Sequence, residues 1–295
     1  MAAQIIDGRA IAAGIRKEAK LAGAELRTQR GITPGLAFIL VGENPASQMY
    51  VRMKGRACAE AGFHSVTEEV PADTSQSSLL ELVRRFNMDS SIHGILVQLP
   101  LPKHLEESAV LQSIDPRKDV DGLHPFNVGK LVLGEPGLRP CTPAGIQELL
   151  VRSGHDPRGK HVVVVGRSNL VGKPAANIFL QKQAGANAVV TVAHTGATDL
   201  SRYTKEADIL ISAVGRAGTI TGAMIKPGAV VVDVGTNKIP DPTAPKGHRT
   251  VGDVDFESAS KVAGAITPVP GGVGPMTIAM LLKNTVQAAI ALSSS

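Results

Sequence analysis

The fold is decided by the stretch HVVVVGRSNLVGKP, residues 161–174. Its four consecutive valines predict a strand that is buried on both faces, which is typical of a parallel sheet. The strand ends at Gly166, and the residues that follow lead into a helix. Such a turn presents free backbone N–H groups and the positive end of the helix dipole to a phosphate group. The stretch therefore predicts an α/β fold with a phosphate-binding turn, and a purely structural turn is the alternative.

The glycines of this turn match the dinucleotide fingerprint G-x-G-x-x-G only in part. Ser168 replaces the second glycine, and the last glycine comes one position late. The next predicted strand, residues 188–193, ends without the acid that holds the ribose 2′-hydroxyl in NAD-binding folds. His194 and Thr195 follow it instead, and Arg167 adds a positive charge to the glycine turn. These features favour NADP over NAD, although His194 alone also fits a solvated loop.

Buried strands and amphipathic helices alternate on both sides of this stretch. Further strands are predicted at residues 36–41, 64–70, 94–98, 188–193, 208–213 and 229–234. Helices are predicted at residues 8–30, 45–60 and 77–86, with a final helix from residue 274. This alternation is typical of parallel sheets covered by helices. Residues 115–140 are rich in Gly, Pro, Asp and His, and we interpret them as the connection between two α/β domains.

The composition is that of a folded protein and argues against some classes of function. Of 295 residues, 43% are hydrophobic and 19% are charged, which is close to the globular average. The 31 basic and 26 acidic residues leave a net charge of +5, but Trp is absent and aromatic residues make up 3%. Base stacking needs aromatic side chains, so we expect no nucleic-acid partner. The charge favours a small polyanionic ligand, with solubility alone as the alternative.

The first residues, the apolar stretches and the cysteines favour a cytoplasmic protein. The N-terminal residues MAAQIIDGR lack the basic start and apolar core of a secretion signal. No uncharged apolar stretch reaches about 18 residues, so we expect neither a membrane span nor a membrane partner. Cys58 and Cys141 are far apart in the sequence, which suits a reducing compartment, and no metal site is predicted.

Tyr50 and Lys54 lie one helical turn apart in the predicted helix 45–60. Side chains at positions i and i+4 share a helix face, so the phenol and the ammonium point to the same region. Partial burial lowers the pKa of a lysine and fits it for proton transfer near neutral pH. A surface pair is the alternative. The Tyr-x-x-x-Lys pair of short-chain dehydrogenases does not fit, because there the pair follows the glycine turn, and here it precedes it.

Six motifs along the chain together resemble one enzyme family. They are GENPASQMYVRMK at 42–54, GILVQLPLP at 94–102, KDVDG at 118–122, PCTP at 140–143, GRSNLVGKP at 166–174 and PVPGGVGPMT at 268–277. In this order they closely resemble the bifunctional methylenetetrahydrofolate dehydrogenase/cyclohydrolase family, the bacterial FolD type. The resemblance spans nearly the full chain, and it is these motifs, not the composition, that indicate the substrate.

The resemblance implies a folate site carried mainly by the first half of the chain. Lys54 matches the catalytic lysine, and Gln98 matches the glutamine that orients it. Tyr50 matches the tyrosine that lies over the folate, with Ser47 as a supporting residue one turn earlier. Asp121 matches the aspartate that holds the amino-pyrimidine edge of the pterin, a contact that is strong when desolvated. Lys54, Tyr50, Gln98 and Asp121 are therefore the expected catalytic residues, and the last three, with Ser47, also bind substrate.

The resemblance also implies an NADP site and a further part of the substrate site. The expected cofactor-binding residues are Gly166, Arg167, Ser168, Thr195 and Thr236. The backbone loop of Pro270, Gly271 and Gly272 is expected to line the substrate site. The chain departs from the family at Thr195, where serine is common, and at Arg56, where a lysine is common. These changes keep the hydroxyl and the charge.

The activity that the resemblance implies has two steps. The first is the NADP-dependent oxidation of 5,10-methylenetetrahydrofolate to 5,10-methenyltetrahydrofolate, and the second is hydrolysis to 10-formyltetrahydrofolate. The main alternative is that only one of these activities is retained. A dinucleotide-binding protein without turnover is a second alternative, which the combination of Lys54 with Gln98 disfavours, because binding alone does not require an oriented lysine.

Two α/β domains with a cleft between them are the expected architecture. An N-terminal βαβ catalytic domain is expected at residues 1–139, with the C-terminal helix 275–295 returning to it. A Rossmann-like NAD(P)-binding domain is expected at residues 140–274. The expected partners are tetrahydrofolate one-carbon derivatives and a second copy of the chain in a homodimer.

Overall fold

The computed structural model describes residues 3–244 and 247–293, which form two compact units. We call residues 13–141 and 278–293 the three-stranded unit. We call residues 3–12, 142–244 and 247–277 the six-stranded unit. Residues 1–2 and 294–295, which the predicted domains include, lie outside the described residues.

The helices and strands follow one another in the alternation that the sequence predicts. The strands are β1 (Gln4–Ile5), β2 (Gly35–Val41), β3 (His64–Val70), β4 (Gly94–Val97), β5 (His161–Val165), β6 (Val189–Ala193), β7 (Ile209–Ser212), β8 (Val230–Asp233), β9 (Asn237–Pro240), β10 (His248–Val251) and β11 (Ala265–Ile266). The α-helices are α1 (Gly8–Arg30), α2 (Pro45–Ala61), α3 (Gln76–Met88), α4 (Glu107–Ser113), α5 (Pro125–Leu133), α6 (Cys141–Arg152), α7 (Gly172–Leu180), α8 (Ser201–Thr204), α9 (Phe256–Ala259) and α10 (Val273–Leu292). A 3₁₀ turn covers Gly222–Met224.

The three-stranded unit is built around β2. All seven residues of β2 are buried, and the strand pairs in parallel with β3 on one side and β4 on the other. A strand covered on both faces is continuously apolar, which explains its sequence GLAFILV. The chain adds β3 on one side and then crosses to β4 on the other. The carboxyl ends of β2 and β4 therefore form the topological switch point, where α/β sheets bind ligands.

Helix α2 begins a few residues after β2, and both of its ends are capped. The Asn44 side chain accepts the N–H groups of Ala46 at 3.0 Å and Ser47 at 3.2 Å. The helix ends at Gly62, whose φ of +74° is left-handed and suits glycine. These caps fix the start of the helix relative to β2, and with it the positions of the side chains that α2 carries.

Residues 115–140 are part of the three-stranded unit, so their predicted role as a connection between domains is wrong. Asp119 bridges to Ile95 of β4 and is 1% exposed. Its carboxylate accepts the N–H groups of Leu123 at 3.1 Å and His124 at 2.8 Å, and the Asn127 amide at 2.8 Å. A buried carboxylate orders this segment, rather than apolar residues at regular spacing. This explains why its apolar residues show only a weak periodicity.

The six-stranded unit contains a parallel sheet with the strand order β1-β11-β8-β7-β5-β6. After β1 at one edge, the chain returns to this sheet at β5, adds β6 on one side and then crosses to β7 on the other. The switch point therefore lies between the carboxyl ends of β5 and β7. Apolar clusters cover the sheet, one including Val163, Leu210 and Val231 and another including Val162, Val164 and Phe179.

The first described residues belong to the six-stranded unit, which corrects the prediction that placed them in the catalytic domain. Strand β1 pairs in parallel with β11, with Gln4 opposite Ala265 and Ile5 opposite Ile266. A two-residue edge strand contains too little pattern to identify its partner, so only tertiary structure assigns it. The antiparallel pair of β9 and β10 is a further element that the sequence pattern did not predict.

Helix α10 is long and apolar enough to cross a membrane by length and composition alone. The sequence predicts this final helix from residue 274 but no membrane span, because a lysine and an asparagine interrupt its apolar residues. Of its most apolar window, 61% is buried inside the protein, with Met276, Leu281 and Leu282 among the buried side chains. The core helix of a soluble protein passes the same test, so this helix is weak evidence for a membrane span.

Candidate active site

Lys54 and Gln98 are joined by a hydrogen bond at the switch point of the three-stranded sheet. Lys54 is on α2, whereas Gln98 directly follows β4 and donates its backbone N–H to Ile39 of β2 at 2.9 Å. Lys54 Nζ donates to Gln98 Oε1 at 3.0 Å. Gln98 Nε2 donates to the Leu99 carbonyl at 2.7 Å, which fixes the amide so that its oxygen faces the lysine.

Burial makes Lys54 a candidate for proton transfer. The residue is 8% exposed, and its burial lowers the pKa of the ammonium from the usual 10.5. The negative charge of Asp121 acts in the opposite direction and limits this fall. A lysine with a lowered pKa and one fixed acceptor can both release and take up a proton at moderate pH.

Asp121 and Cys141 lie beside Lys54. Asp121 is half-buried, and Cys141 is 2% exposed. Burial, reinforced by the Asp121 carboxylate, raises the pKa of the Cys141 thiol well above its usual value, so the thiol stays protonated. As a neutral donor it bonds to the Val120 carbonyl at 3.2 Å. Three of the four expected catalytic residues, Lys54, Gln98 and Asp121, therefore come together in this unit.

Ser47 and Tyr50 lie on the same helix as Lys54, on successive turns. Ser47 is 6% exposed, whereas Tyr50 is 40% exposed. Among the described residues, no hydrogen bond joins the Tyr50 hydroxyl to Lys54 or Gln98. An exposed ring one helical turn from a buried lysine is free to cover a flat ligand, which is a binding role rather than a proton-transfer role.

A cavity of this unit lies at the other end of the sheet. It measures about 810 Å³ and is lined by residues that precede β2 and β4, among them Thr33 and His93, and by Lys118. The Lys118 ammonium donates to the carbonyls of Phe86 at 3.1 Å and Asp89 at 2.7 Å, at the end of α3. Lys118 thus caps a helix, and the cavity is separate from Lys54 and Gln98.

The glycine turn of the six-stranded unit is packed so closely that two of its positions admit no side chain. Gly166 follows β5 with a φ of +131°, and a Cβ there would lie 2.3 Å from the Ala213 carbonyl oxygen after β7. A Cβ at Gly172 would lie 2.2 Å from the Gly166 carbonyl oxygen. The turn therefore packs at the switch point with no room for Cβ atoms, as in dinucleotide-binding turns.

The other expected cofactor-binding residues lie in turns beyond the carboxyl ends of three parallel strands. Ser168 follows β5, and its Oγ accepts the N–H of Val171 at 3.1 Å, which leaves its own proton free to donate. Thr195 follows β6 and Thr236 follows β8, and both are exposed. Arg167, next to Gly166, is exposed as well. A basic side chain and several hydroxyl groups at one sheet edge suit a phosphorylated ligand.

Two buried aspartates, which the sequence analysis missed, organise this sheet edge. Asp253 is fully buried and accepts the N–H groups of Val214 at 2.6 Å and Gly215 at 2.9 Å, after β7, and the amide of Asn237 at 2.9 Å, after β8. Asp233 accepts the N–H groups of Gly235, Asp253 and Val254, each at 2.9 Å. Burial raises the pKa of Asp233 to about 6. No local motif marks either residue, because most of their partners are backbone groups distant in sequence.

Removal of the Asp253 carboxylate is expected to destabilise the six-stranded unit. In Asp253→Ala, three donors lose their acceptor in a buried environment, so we expect the free energy of unfolding to fall by about 3 kcal/mol or more. Urea unfolding followed by circular dichroism measures this loss. The control is Asp199→Ala, which removes an exposed carboxylate that accepts the Ser201 N–H at 2.8 Å. A similar loss in both variants would contradict this role.

The loop of Pro270, Gly271 and Gly272 belongs to the six-stranded unit. Gly271 has a φ of +116°, which disfavours any side chain. The start of α1 packs on this loop, since a Cβ at Gly8 would lie 1.9 Å from the Gly272 carbonyl oxygen. Among the described residues, no group of three or more His, Cys, Asp or Glu side chains could hold a metal ion.

Comparison with known families matches nearly the whole chain. Residues 6–121 match the catalytic domain of tetrahydrofolate dehydrogenase/cyclohydrolase, and residues 140–292 match its NAD(P)-binding domain. The bifunctional protein FolD of Syntrophobacter fumaroxidans is 58% identical over 288 residues, which are 98% of this chain and 97% of that protein.

Solved structures agree with these matches. The bifunctional FolD enzyme of Campylobacter jejuni superposes with a TM-score of 0.92 and 48% identity, covering 98% of this chain and 99% of that one. The methylenetetrahydrofolate dehydrogenase-cyclohydrolase of Trypanosoma brucei, complexed with NADP and an inhibitor, superposes with a TM-score of 0.94 and 42% identity over the full length of both chains. The chain described here belongs to the tetrahydrofolate dehydrogenase/cyclohydrolase family.

Proposed function

We propose that the protein oxidises 5,10-methylenetetrahydrofolate with NADP and hydrolyses the 5,10-methenyltetrahydrofolate formed to 10-formyltetrahydrofolate. The observation that carries this proposal is the buried Lys54 ammonium, bonded to the fixed Gln98 amide and within the field of Asp121. Family membership supplies the substrate class, and the geometry supplies a group able to move protons.

The folate is bound through the edge and the face of its pterin ring. The half-buried Asp121 carboxylate pairs with the donor edge of the amino-pyrimidine, a charge-assisted contact. Tyr50, exposed one turn from Lys54, covers the pterin, and the buried Ser47 supports that helix face. The backbone of Pro270, Gly271 and Gly272 adds contacts that need no side chain.

NADP is the cofactor that the six-stranded unit suits. Gly166 and Gly172 let the turn after β5 pack closely before α7. The backbone N–H groups and the dipole at the start of that helix suit a pyrophosphate. Arg167, Ser168 and Thr195 offer one charge and two hydroxyl groups to a 2′-phosphate, and Thr236 offers a further hydroxyl group. When bound, NADP accepts the hydride from the one-carbon bridge, and no proton moves in that step. The protein therefore contributes chiefly alignment to the oxidation.

Hydrolysis is the step that requires Lys54. Water adds to the bridging carbon, and protons must move while a C–N bond breaks. The Lys54 amine can accept a proton from the attacking water and return it to the leaving nitrogen, and Gln98 keeps Nζ in place through both transfers. No other side chain in the described part of the three-stranded unit combines this burial with a bond to the end of β4.

Mixing the protein with 5,10-methylenetetrahydrofolate and NADP tests the proposal in one spectrophotometric trace. We expect NADPH to appear with little accumulation of the methenyl product, and methenyl substrate supplied directly to be consumed. NADPH with a persistent methenyl signal would show that only the dehydrogenase is retained. If neither NADP nor NAD is reduced, the dehydrogenase assignment is wrong, and the direct methenyl assay decides whether the cyclohydrolase remains.

The pH profile of hydrolysis tests the protonation of Lys54. The neutral Lys54 amine is the base, so the rate of hydrolysis should rise with pH as Lys54 loses its proton. Because burial lowers the Lys54 pKa from 10.5, this alkaline transition of the cyclohydrolase should lie below pH 10.5. The Gln98→Leu variant removes the oxygen that accepts the ammonium N–H, which favours the neutral amine, so the transition should move to lower pH. A transition that stays in place in this variant would contradict the assignment to Lys54.

A homodimer in the cytoplasm is the proposed assembly and location. Strand β6 is the last strand of its sheet, and its Val189 and Val192 are 65% and 41% exposed, which suits burial against a second copy. Sedimentation equilibrium should then give twice the chain mass of 30.7 kDa. A mass of 30.7 kDa at micromolar concentration would reject the dimer.

A further inference from the structure

Asn284, on the C-terminal helix α10, makes hydrogen bonds to both chain segments that meet beside Lys54. Its Nδ2 donates to the Val120 carbonyl at 2.8 Å and to the Arg139 carbonyl at 2.9 Å, and lies 3.6 Å from Cys141 Sγ. The residue is 3% exposed. An amide NH₂ has two protons, and two carbonyls take both, so the orientation of the Asn284 side chain is fixed.

The two segments that Asn284 joins carry the charged and polar groups around Lys54. Val120 precedes Asp121 directly, and Arg139 is two residues before Cys141. The segments are in close contact, because a Cβ at Gly122 would lie 2.4 Å from the Arg139 carbonyl carbon. The Cys141 thiol donates to the same Val120 carbonyl that Asn284 binds. Asn284 and Cys141 therefore converge on the peptide group that leads into Asp121.

We infer that Asn284 is a positioning residue for the folate site, holding the 120–122 segment so that the Asp121 carboxylate faces Lys54 and the pterin. This inference rests on the proposed function, because it takes Asp121 as the pterin-binding carboxylate. The hydrogen bonds of Asn284 go to Val120, Arg139 and Cys141 and not to Lys54. Its effect passes through the backbone of Val120, and nothing in the local sequence around Asn284 indicates that partner.

The test compares Asn284→Ala with Asn87→Ala in steady-state kinetics. Asn87 is a matched control, because its amide also joins two segments of the same unit, away from Lys54. It donates to the Ser113 carbonyl at 2.7 Å and accepts the Asp115 N–H at 2.8 Å. For Asn284→Ala we expect the KM for methylenetetrahydrofolate to rise at least about tenfold, with the KM for NADP unchanged within about twofold. The control should leave both values unchanged.

A second readout follows the protonation of Lys54 rather than the binding of folate. The Asp121 carboxylate is the neighbour whose charge raises the Lys54 pKa, and burial lowers it. If Asp121 moves away from Lys54 in Asn284→Ala, the alkaline transition of the cyclohydrolase shifts to lower pH. A loss of folded protein alone lowers the activity at every pH and leaves this transition in place.

The outcomes separate this inference from the proposed function. Asp121→Asn must itself raise the folate KM; if it does not, the proposed folate site is wrong. If Asp121→Asn raises the folate KM while Asn284→Ala changes only the yield of folded protein, the role of Asn284 is wrong. Should Asn284→Ala not fold, Asn284→Ser keeps one donor, and we expect a smaller rise in folate KM with a smaller shift of the pH transition in the same direction. An unchanged folate KM in a folded Asn284→Ser would overturn the inference.

Discussion

Replacement of Lys54 by methionine is expected to lower the cyclohydrolase rate by about 10²–10⁴-fold or abolish it, while the dehydrogenase falls much less. Methionine keeps the length and the apolar stem of lysine but can neither donate to Gln98 nor carry a proton. Hydride transfer needs alignment and no proton movement, so it depends on Lys54 only through folate positioning. Methenyl hydrolysis and NADPH formation, measured separately on the same preparation, give the two rates.

Lys17→Met is the control for this variant, because Lys17 is exposed on α1 in the same unit. It should leave both rates unchanged. The assignment of Lys54 would fail if Lys54→Met lost hydrolysis and folate binding by equal factors, since nothing would then be specific to the chemical step. Binding of the methenyl compound in the absence of NADP supplies that comparison.

Replacement of Gly166 by alanine should impair the NADP-dependent dehydrogenase and largely spare the cyclohydrolase. The φ of +131° disfavours any side chain, and the added Cβ would lie 2.3 Å from the Ala213 carbonyl oxygen. The turn must shift, and the surface that accepts the pyrophosphate shifts with it. We expect kcat/KM for NADP to fall about 100-fold or more. Hydrolysis of supplied methenyl substrate should stay within about threefold, because Lys54 and Gln98 belong to the other unit.

Gly159→Ala separates backbone strain from the steric clash. Gly159 also has a positive φ, +68°, but no atom lies within 4 Å of a Cβ placed there. It should cost some stability and leave the NADP kinetics unchanged. Comparable NADP defects in Gly159→Ala and Gly166→Ala would show that the loss comes from general destabilisation. Loss of methenyl hydrolysis in Gly166→Ala would contradict the assignment of hydrolysis to the three-stranded unit.

Most helices and strands could be predicted because their signals are local. The strand HVVVV ends where the structure ends it, at Val165, and α1 covers the predicted residues 8–30. Continuous valine or isoleucine runs mark strands buried on both faces, and glycine marks the turns that follow them. The prediction failed at residues 115–140, since the buried Asp119 carboxylate orders that segment through hydrogen bonds that leave no period in the sequence.

The candidate site was predictable in part. The spacing of Tyr50 and Lys54 on one helix is a local signal, and the motifs supplied Gln98 and Asp121. The bond between Lys54 Nζ and Gln98 Oε1 joins residues 44 positions apart, and only the parallel pairing of β2 with β4 brings them together. The roles of Cys141 and Asp253 were missed, because their partners are mostly backbone groups, which any residue type supplies.

Local patterns in the sequence predict the alternation of strands and helices, the glycine turn after β5 and the family, because each depends on residues that are close neighbours in the chain. The pairing of β1 with the six-stranded sheet, the burial of Lys54 and the bonds from Asn284 to the segment before Asp121 appear only in the folded structure. Asn284 and Val120 are 164 residues apart. Burial and long-range hydrogen bonds depend on which segments pack together, and that packing exists only once the whole chain has folded.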